Sequence, residues 1–178
     1  MPGGYSLVSL QEARQFINAR DGDNTDDAEL MRFAEAATEV VERHVGEVLV
    51  RRTIVETHVV TSGHPALLRT PVTELVSVSV GGTASDVTSL ALNPVTGLLY
   101  GLAGTAVVTY VAGVNEVPSA YQEATLIICQ HLWSTQRANG FTSAPAYGSS
   151  DVPAVMGMGY ALPNRAAELL GARAPNCP

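Results

Sequence analysis

The sequence predicts an α+β fold: a small helical core, an antiparallel β subdomain inserted into it, and an extended C-terminal arm ending in a short helix. Three observations carry this expectation. Apolar residues recur at helical spacing over residues 9–45 and again over 118–138. Between them lies a stretch rich in Val and Thr whose apolar and polar residues alternate. Beyond Asn139-Gly140 the composition shifts to Gly, Ser, Ala and Pro with few charges. The expected parts are an N-terminal helical part over 1–47, the β insertion over 48–113, a long core helix within 114–140 and the arm over 141–178.

Ser9-Leu10-Gln11-Glu12 is a capping box, in which the Ser hydroxyl and the Glu carboxylate satisfy free amides at a helix start. It opens a first helix over 9–18, with Leu10, Ala13 and Ile17 on one side. The acidic turn from Asp21 to Asp27 does not meet the needs of a calcium loop. Asp26 stands at the sixth position, where Gly is required, and Arg32 at the twelfth, where a bidentate Glu belongs. No metal is expected there. Asn24 or Thr25 is the expected cap of a second helix over 26–45. Leu30, Phe33, Ala34, Ala37, Val40, Val41 and Val45 form its apolar face, and Glu35, Glu39, Glu42 and Arg43 the opposite one. His44 falls in the apolar sector, where a lone His is expected to be half-buried and hydrogen-bonded. Gly46 stops the helix.

The period then changes to two. Strands are expected over 48–60, 66–69, 76–80, 87–92, 98–100 and 105–111, giving five or six in a small antiparallel sheet. Thr70-Pro71, Gly81-Gly82 and the run from Asn93 to Gly97 supply the turns. Pro118 suits the first turn of the long helix that follows. Ala124, Ile128 and Leu132 line one side of that helix, while Leu126, Cys129 and Trp133 lie on a nearly opposite one. A helix apolar on two sides needs two covers. The second is either the β subdomain or a neighbouring subunit, which makes Leu126, Cys129 and Trp133 candidate interface residues. The arm carries Phe141, Tyr147, Val155, Met156, Met158 and Tyr160 before a short helix that Asn164 caps and Gly171 stops, with Leu169 and Leu170 near its end. It is too apolar for a free linker and too long for an ordinary loop. Either it orders on a partner or it is a loose tail.

Composition narrows the function. Hydrophobic residues make up 46% and charged ones only 15%. Ten Lys/Arg against seventeen Asp/Glu give a net charge of −7. With no basic stripe, a sequence-reading nucleic-acid binder is not expected. Cys129 and Cys177 show no metal spacing. The opening MPGGYSLVSL lacks the pattern of a secretory signal, and no apolar run is long enough to span a bilayer. His44, His58, His64 and His131 stand apart in sequence, and no nucleophile elbow, zinc motif or phosphate loop occurs. Hence no catalytic, metal or cofactor residue is expected, and the chain reads as a non-enzyme.

Several stretches, in order, carry a resemblance. Ser9-Leu10-Gln11-Glu12-Ala13 opens the chain, and the acidic turn leads into Asp26-Asp27-Ala28-Glu29-Leu30. Ala36-Ala37-Thr38-Glu39-Val40-Val41-Glu42 runs to Gly46, and Arg52-Thr53 starts the strands. Leu68-Arg69-Thr70-Pro71-Val72 leads to Val76-Ser77-Val78. Val108-Thr109-Tyr110-Val111-Ala112-Gly113 precedes Val117-Pro118 and the helix through Trp133. Together, over residues 9–138, they resemble the head–tail connector (adaptor) family of long-tailed, siphovirus-type phages.

The resemblance implies a virion neck protein, made in the host cytoplasm, that forms a closed homo-oligomeric ring, a dodecamer. Such a ring docks below the portal protein, continues the DNA channel without binding DNA specifically, and presents a surface to the next neck protein, the stopper. It also implies that the arm reaches the portal, which makes Phe141, Tyr147, Val155, Met156, Met158, Tyr160, Leu169 and Leu170 candidate portal contacts. No cofactor and no membrane enter this reading. The alternatives are another neck or tail-completion protein of stopper type, and a small hydrolase or ligand-binding protein.

Overall fold

The computed structural model describes residues 4–19, 24–138 and 162–171. Helix α1 (Leu10–Phe16) begins on the predicted capping box. The Ser9 hydroxyl accepts from the Glu12 amide at 3.2 Å, and the Ser9 amide donates to Glu12 Oε2 at 2.7 Å. The Ser9 amide, and then its hydroxyl, hold the Glu12 carboxyl below the usual carboxylate range. A lowered folded-state pKa stabilises above the unfolded carboxylate range, and that contribution is lost as pH falls through the folded value. Ser9→Ala is expected to cost about 1 kcal/mol in a urea titration at neutral pH. The cost should shrink in acid, where the wild-type box is itself weakened; an equal cost at both pH values counts against a carboxylate-dependent cap.

Helix α2 (Asp27–Val45) starts differently from expectation. Its N-cap is Asp26, which makes no side-chain cap hydrogen bond. Asn24 instead accepts from the Arg14 guanidinium at 3.1 Å, and Arg14 also pairs with Asp27, so this turn is tied to α1. Gly46 ends the helix in the left-handed conformation, as expected. His44 is half-buried, with Nε2 3.1 Å from the Gly171 carbonyl oxygen. Glu42, however, is not on a solvent face. It is 8% exposed, because the chain folds back over the last turn of α2. Glu42 Oε1 accepts from the amides of Leu49 and Val50 at 2.9 and 3.1 Å and from Arg52 Nη1 at 3.1 Å. Arg52 Nη2 donates to Oε2 at 2.7 Å, completing a two-pronged ion pair. A buried carboxylate is tolerable when it is both ion-paired and hydrogen-bonded in this way.

The middle of the chain forms a four-stranded antiparallel sheet of β1 (Arg52–Val60), β2 (Val72–Val80), β3 (Thr83–Ser85) and β6 (Gly104–Ala112), in the order β1-β6-β2-β3. Gly81 and Gly82, both at positive φ, make the two-residue hairpin that sets Val80 against Thr83. A second hairpin pairs β4 (Ala91–Leu92) with β5 (Leu99–Tyr100). Two strand expectations are corrected. The 87–92 segment begins as a 3-10 turn (Val87–Ser89), because the Asp86 carboxylate accepts from the Thr88 amide at 2.9 Å and bends the chain. The 66–69 segment keeps only a single bridge, Ala66 to Leu98.

Two apolar clusters result. Ala13, Leu30, Ala34, Ala37, Val41, Ala124, Ile128 and Cys129 pack between the helices. Leu67, Val72, Val78, Leu99, Leu102, Ala106, Val108 and Tyr110 fill the space under the sheet. Helix α3 (Ser119–Ala138) packs against α1, α2 and the C-terminal helix α4 (Asn164–Leu170). The cap of α4 is Pro163 rather than Asn164, which is the first helical residue. Gly171 ends it.

Candidate assembly surfaces

Helix α3 has both its apolar sides covered by this chain. Ala124, Thr125, Ile128 and Cys129 are buried in one continuous arc. The second cover is α4, whose Ala166 and Leu170 belong to the helical core. Of the three candidate interface residues, Cys129 is 1% exposed and has no surface to offer a neighbour. Burial pushes its thiol up to about 11. Leu126 and Trp133 are half-buried against the helical core, and Trp133 stands edge-on to Phe33 at a centroid distance of 6.2 Å. Of the three, Leu126 and Trp133 remain partly exposed.

The candidate arm divides. Phe141, Tyr147, Val155, Met156, Met158 and Tyr160 lie outside the described residues. Leu169 is half-buried and Leu170 buried, both against the helices of the same chain. Leu170→Ala is therefore expected to lower stability by about 2–4 kcal/mol, the cost of a core cavity. A loss within about 0.5 kcal/mol, the usual range for a surface change, would mean α4 does not rest there in solution.

The sheet has one covered and one bare face. Residues of the 61–71 and 90–103 segments, among them Leu67, Leu99 and Leu102, close the inner face. On β1 the other face is exposed at Thr53, Val55, Thr57 and Val59, which continue across to Val111, Thr109, Val107 and Thr105 of β6. Val55 is 63% and Val59 72% exposed. A broad Val/Thr face of this kind is the sort of patch that marks a contact surface.

One polar cluster was not visible as such in the sequence. Glu56 accepts from the Tyr110 hydroxyl, from His58 Nε2 at 3.0 Å and from the Leu68 amide at 3.1 Å. The Tyr110 oxygen in turn accepts from the Arg69 amide at 3.2 Å. Burial, followed by the bond to Glu56, raises the Tyr110 pKa above the ordinary phenol value. Glu56 and His58 stand two apart on one strand, so they share a face. The network ties the 66–69 segment to β1 and spends its hydrogen bonds internally. Among the described residues no group of three or more His, Cys, Asp or Glu is placed to hold a metal ion. A shallow cleft of about 200 Å³ between Arg43, Glu47, Leu68 and Arg69 marks the junction of helices and sheet. No described helix is long and apolar enough to cross a membrane.

A helical layer joined to a four-stranded antiparallel sheet and closed by a C-terminal helix defines an α+β fold that solved structures share. No family model and no curated protein matches the chain. A chain in the neck of an empty GTA particle, computed with C6 symmetry, matches with a TM-score of 0.59 at 15% identity, over 81% of this chain and 83% of that one. A chain in the virion of a native gene transfer agent (GTA) particle matches at 0.56 and 16%, over 82% and 83%. A third, in the neck of a native GTA particle computed with C12 symmetry, matches at 0.54 and 14%, over 79% and 81%. At such identities the likeness establishes a common fold.

Proposed function

We propose that this chain is a structural, non-enzymatic subunit of the neck of a tailed-phage-like particle. In this reading it is a head-to-tail adaptor that forms a ring below the portal and offers its far side to the next neck protein. The observation that carries the reading is the fold shared, over about four-fifths of both chains, with proteins in gene transfer agent neck structures. Those necks were computed with C6 and C12 symmetry, which supports a ring and is compatible with twelve copies. The net charge of −7 suits a wall past which DNA slides, since like charge keeps phosphates from adhering. The ordered set of sequence stretches that resembles phage adaptors points the same way.

The arm has a part in this proposal. Phe141, Tyr147, Val155, Met156, Met158 and Tyr160 would contact the portal, while α4 anchors the end of the arm to its own subunit. Particles made without the chain are expected to yield DNA-filled heads and separate tails, and purified chain added back should restore joining. A variant with those six residues changed to Ser should fold yet fail to restore it. Normal joining without the chain would sink the adaptor reading.

A further inference from the structure

Only four Asp, Glu, Lys or Arg residues occur between positions 53 and 111: Glu56, Arg69, Glu74 and Asp86. Glu56 is enclosed in the tyrosine network, so nearly all the charge of this acidic chain lies outside the β unit. The β unit also carries two exposed apolar surfaces. One is the bare sheet face with Val55, Val59 and Val107, which are 63%, 72% and 38% exposed. The other lies on the layer that closes the opposite face, where Leu68 is 79%, Val95 74% and Tyr100 37% exposed. The Leu67 amide donates to the Gly97 carbonyl and the Val72 amide to the Pro94 carbonyl, so the Val95 turn sits beside the Leu68 segment.

We infer that the β unit is the self-association module: the bare sheet face of one copy receives the Leu68/Val95 surface of the next. This rests on the ring reading above and deepens it by naming the contact. The occupant is a second copy of this chain for three reasons. A head-to-tail ring needs two different patches on each subunit, and this layer has two, on opposite sides of one sheet. Copies that each carry a net charge of −7 repel, and contact is least opposed where charge is depleted, as in the cores of interfaces. The exposed charge on the sheet face is Glu74, whereas the exposed charges around Leu68 are Arg69, Arg43 and Glu47, with cations in excess, so the two surfaces differ in sign. By contrast, α3 is covered within its own subunit, which leaves Leu126 and Trp133 a minor share at most.

The test is sedimentation equilibrium on the full chain up to millimolar concentration. The wild-type mass should rise above 18.7 kDa with concentration. Val55→Glu with Val59→Glu, and separately Leu68→Glu with Val95→Glu, should each weaken association by about a hundredfold or more, since each buries unpaired charge. All four sites are strongly exposed, so circular dichroism and unfolding midpoints should stay near wild type. Thr57→Glu serves as a second sheet-face variant. Mixing the two double variants leaves one intact pair of surfaces, so the mixture should form a dimer and stop there. The inference is overturned by a wild type that stays monomeric throughout, by either double variant assembling like wild type, or by the Leu68/Val95 variant dimerising alone, which would mean sheet-to-sheet contact. If that happens while loss of the chain still leaves heads and tails apart, the contact assignment fails and the adaptor reading stands.

Discussion

Glu42→Ala is expected to destabilise the protein by about 3–5 kcal/mol, the range for breaking a buried ion pair from one side. The carboxylate joins the last turn of α2 to the start of β1, so its loss orphans three partners together. Arg52 is left without its counter-charge, and the amides of Leu49 and Val50 lose their acceptor. Glu42→Gln keeps an acceptor oxygen for the amides but gives up the charge, and should cost less. Urea titrations of both variants, and of Arg52→Ala alone and combined with Glu42→Ala, give the coupling directly. The double variant should be much less damaged than the sum of the two singles. Simple additivity would mean that the two residues do not act as a pair.

Tyr110→Ala should cost a similar amount, about 3–5 kcal/mol, as the largest fully buried side chain among the described residues becomes a cavity under the sheet. Tyr110→Phe separates packing from polarity. It retains the ring but leaves Glu56 and the Arg69 amide each short of a partner, at about 1–3 kcal/mol. The phenol pKa is raised in the folded state, so the neutral form is favoured by folding. That stabilisation is complete below the ordinary tyrosine range and is lost as pH rises above it. Tyr110 should therefore resist ionisation in an alkaline spectroscopic titration until the protein unfolds. Early ionisation together with a harmless Phe variant would contradict the network.

What the sequence made legible was what periodicity and turn chemistry encode. The capping box at Ser9, the stop at Gly46 and the Gly81-Gly82 hairpin are local signals, and each appears in its place, whereas the alternation expected from Val76 is broken by a register shift between Leu75 and Ser77 that leaves Val76 48% exposed. The misreadings arise where a distant segment decides. Glu42 looked solvated because a charged residue on a helix normally is. Its burial depends on the backbone returning at Leu49 and on Arg52, and the available hint was that Glu42 continues the row of Leu30, Ala34 and Thr38 at spacings of four, whose first two members are apolar. The second cover of α3 comes from residues 164–170, a contact across a gap that no helical period spans. Glu56 and His58 had a signal, the spacing of two on a strand, but Tyr110 joins them only through the β1–β6 pairing. The depletion of charge over 53–111 was open to reading in the sequence and points to the same surfaces as the structure.

These features fit one physical scheme. Intrachain polar hubs at Glu42 and Glu56 tie the helices to the sheet, α4 closes the helical core, and among the described residues the most exposed large apolar side chains are those of the β unit. Under the proposed function, little charge on one layer and acid elsewhere would let copies pack side by side while DNA stays mobile.

Imaging the necks of complete particles by electron cryo-microscopy tests the proposed adaptor role most directly. Density matching this fold is expected as a closed ring against the portal, one copy beside the next around the DNA channel. Finding the same density on the capsid lattice, along the tail or as single copies detached from the portal vertex would contradict it.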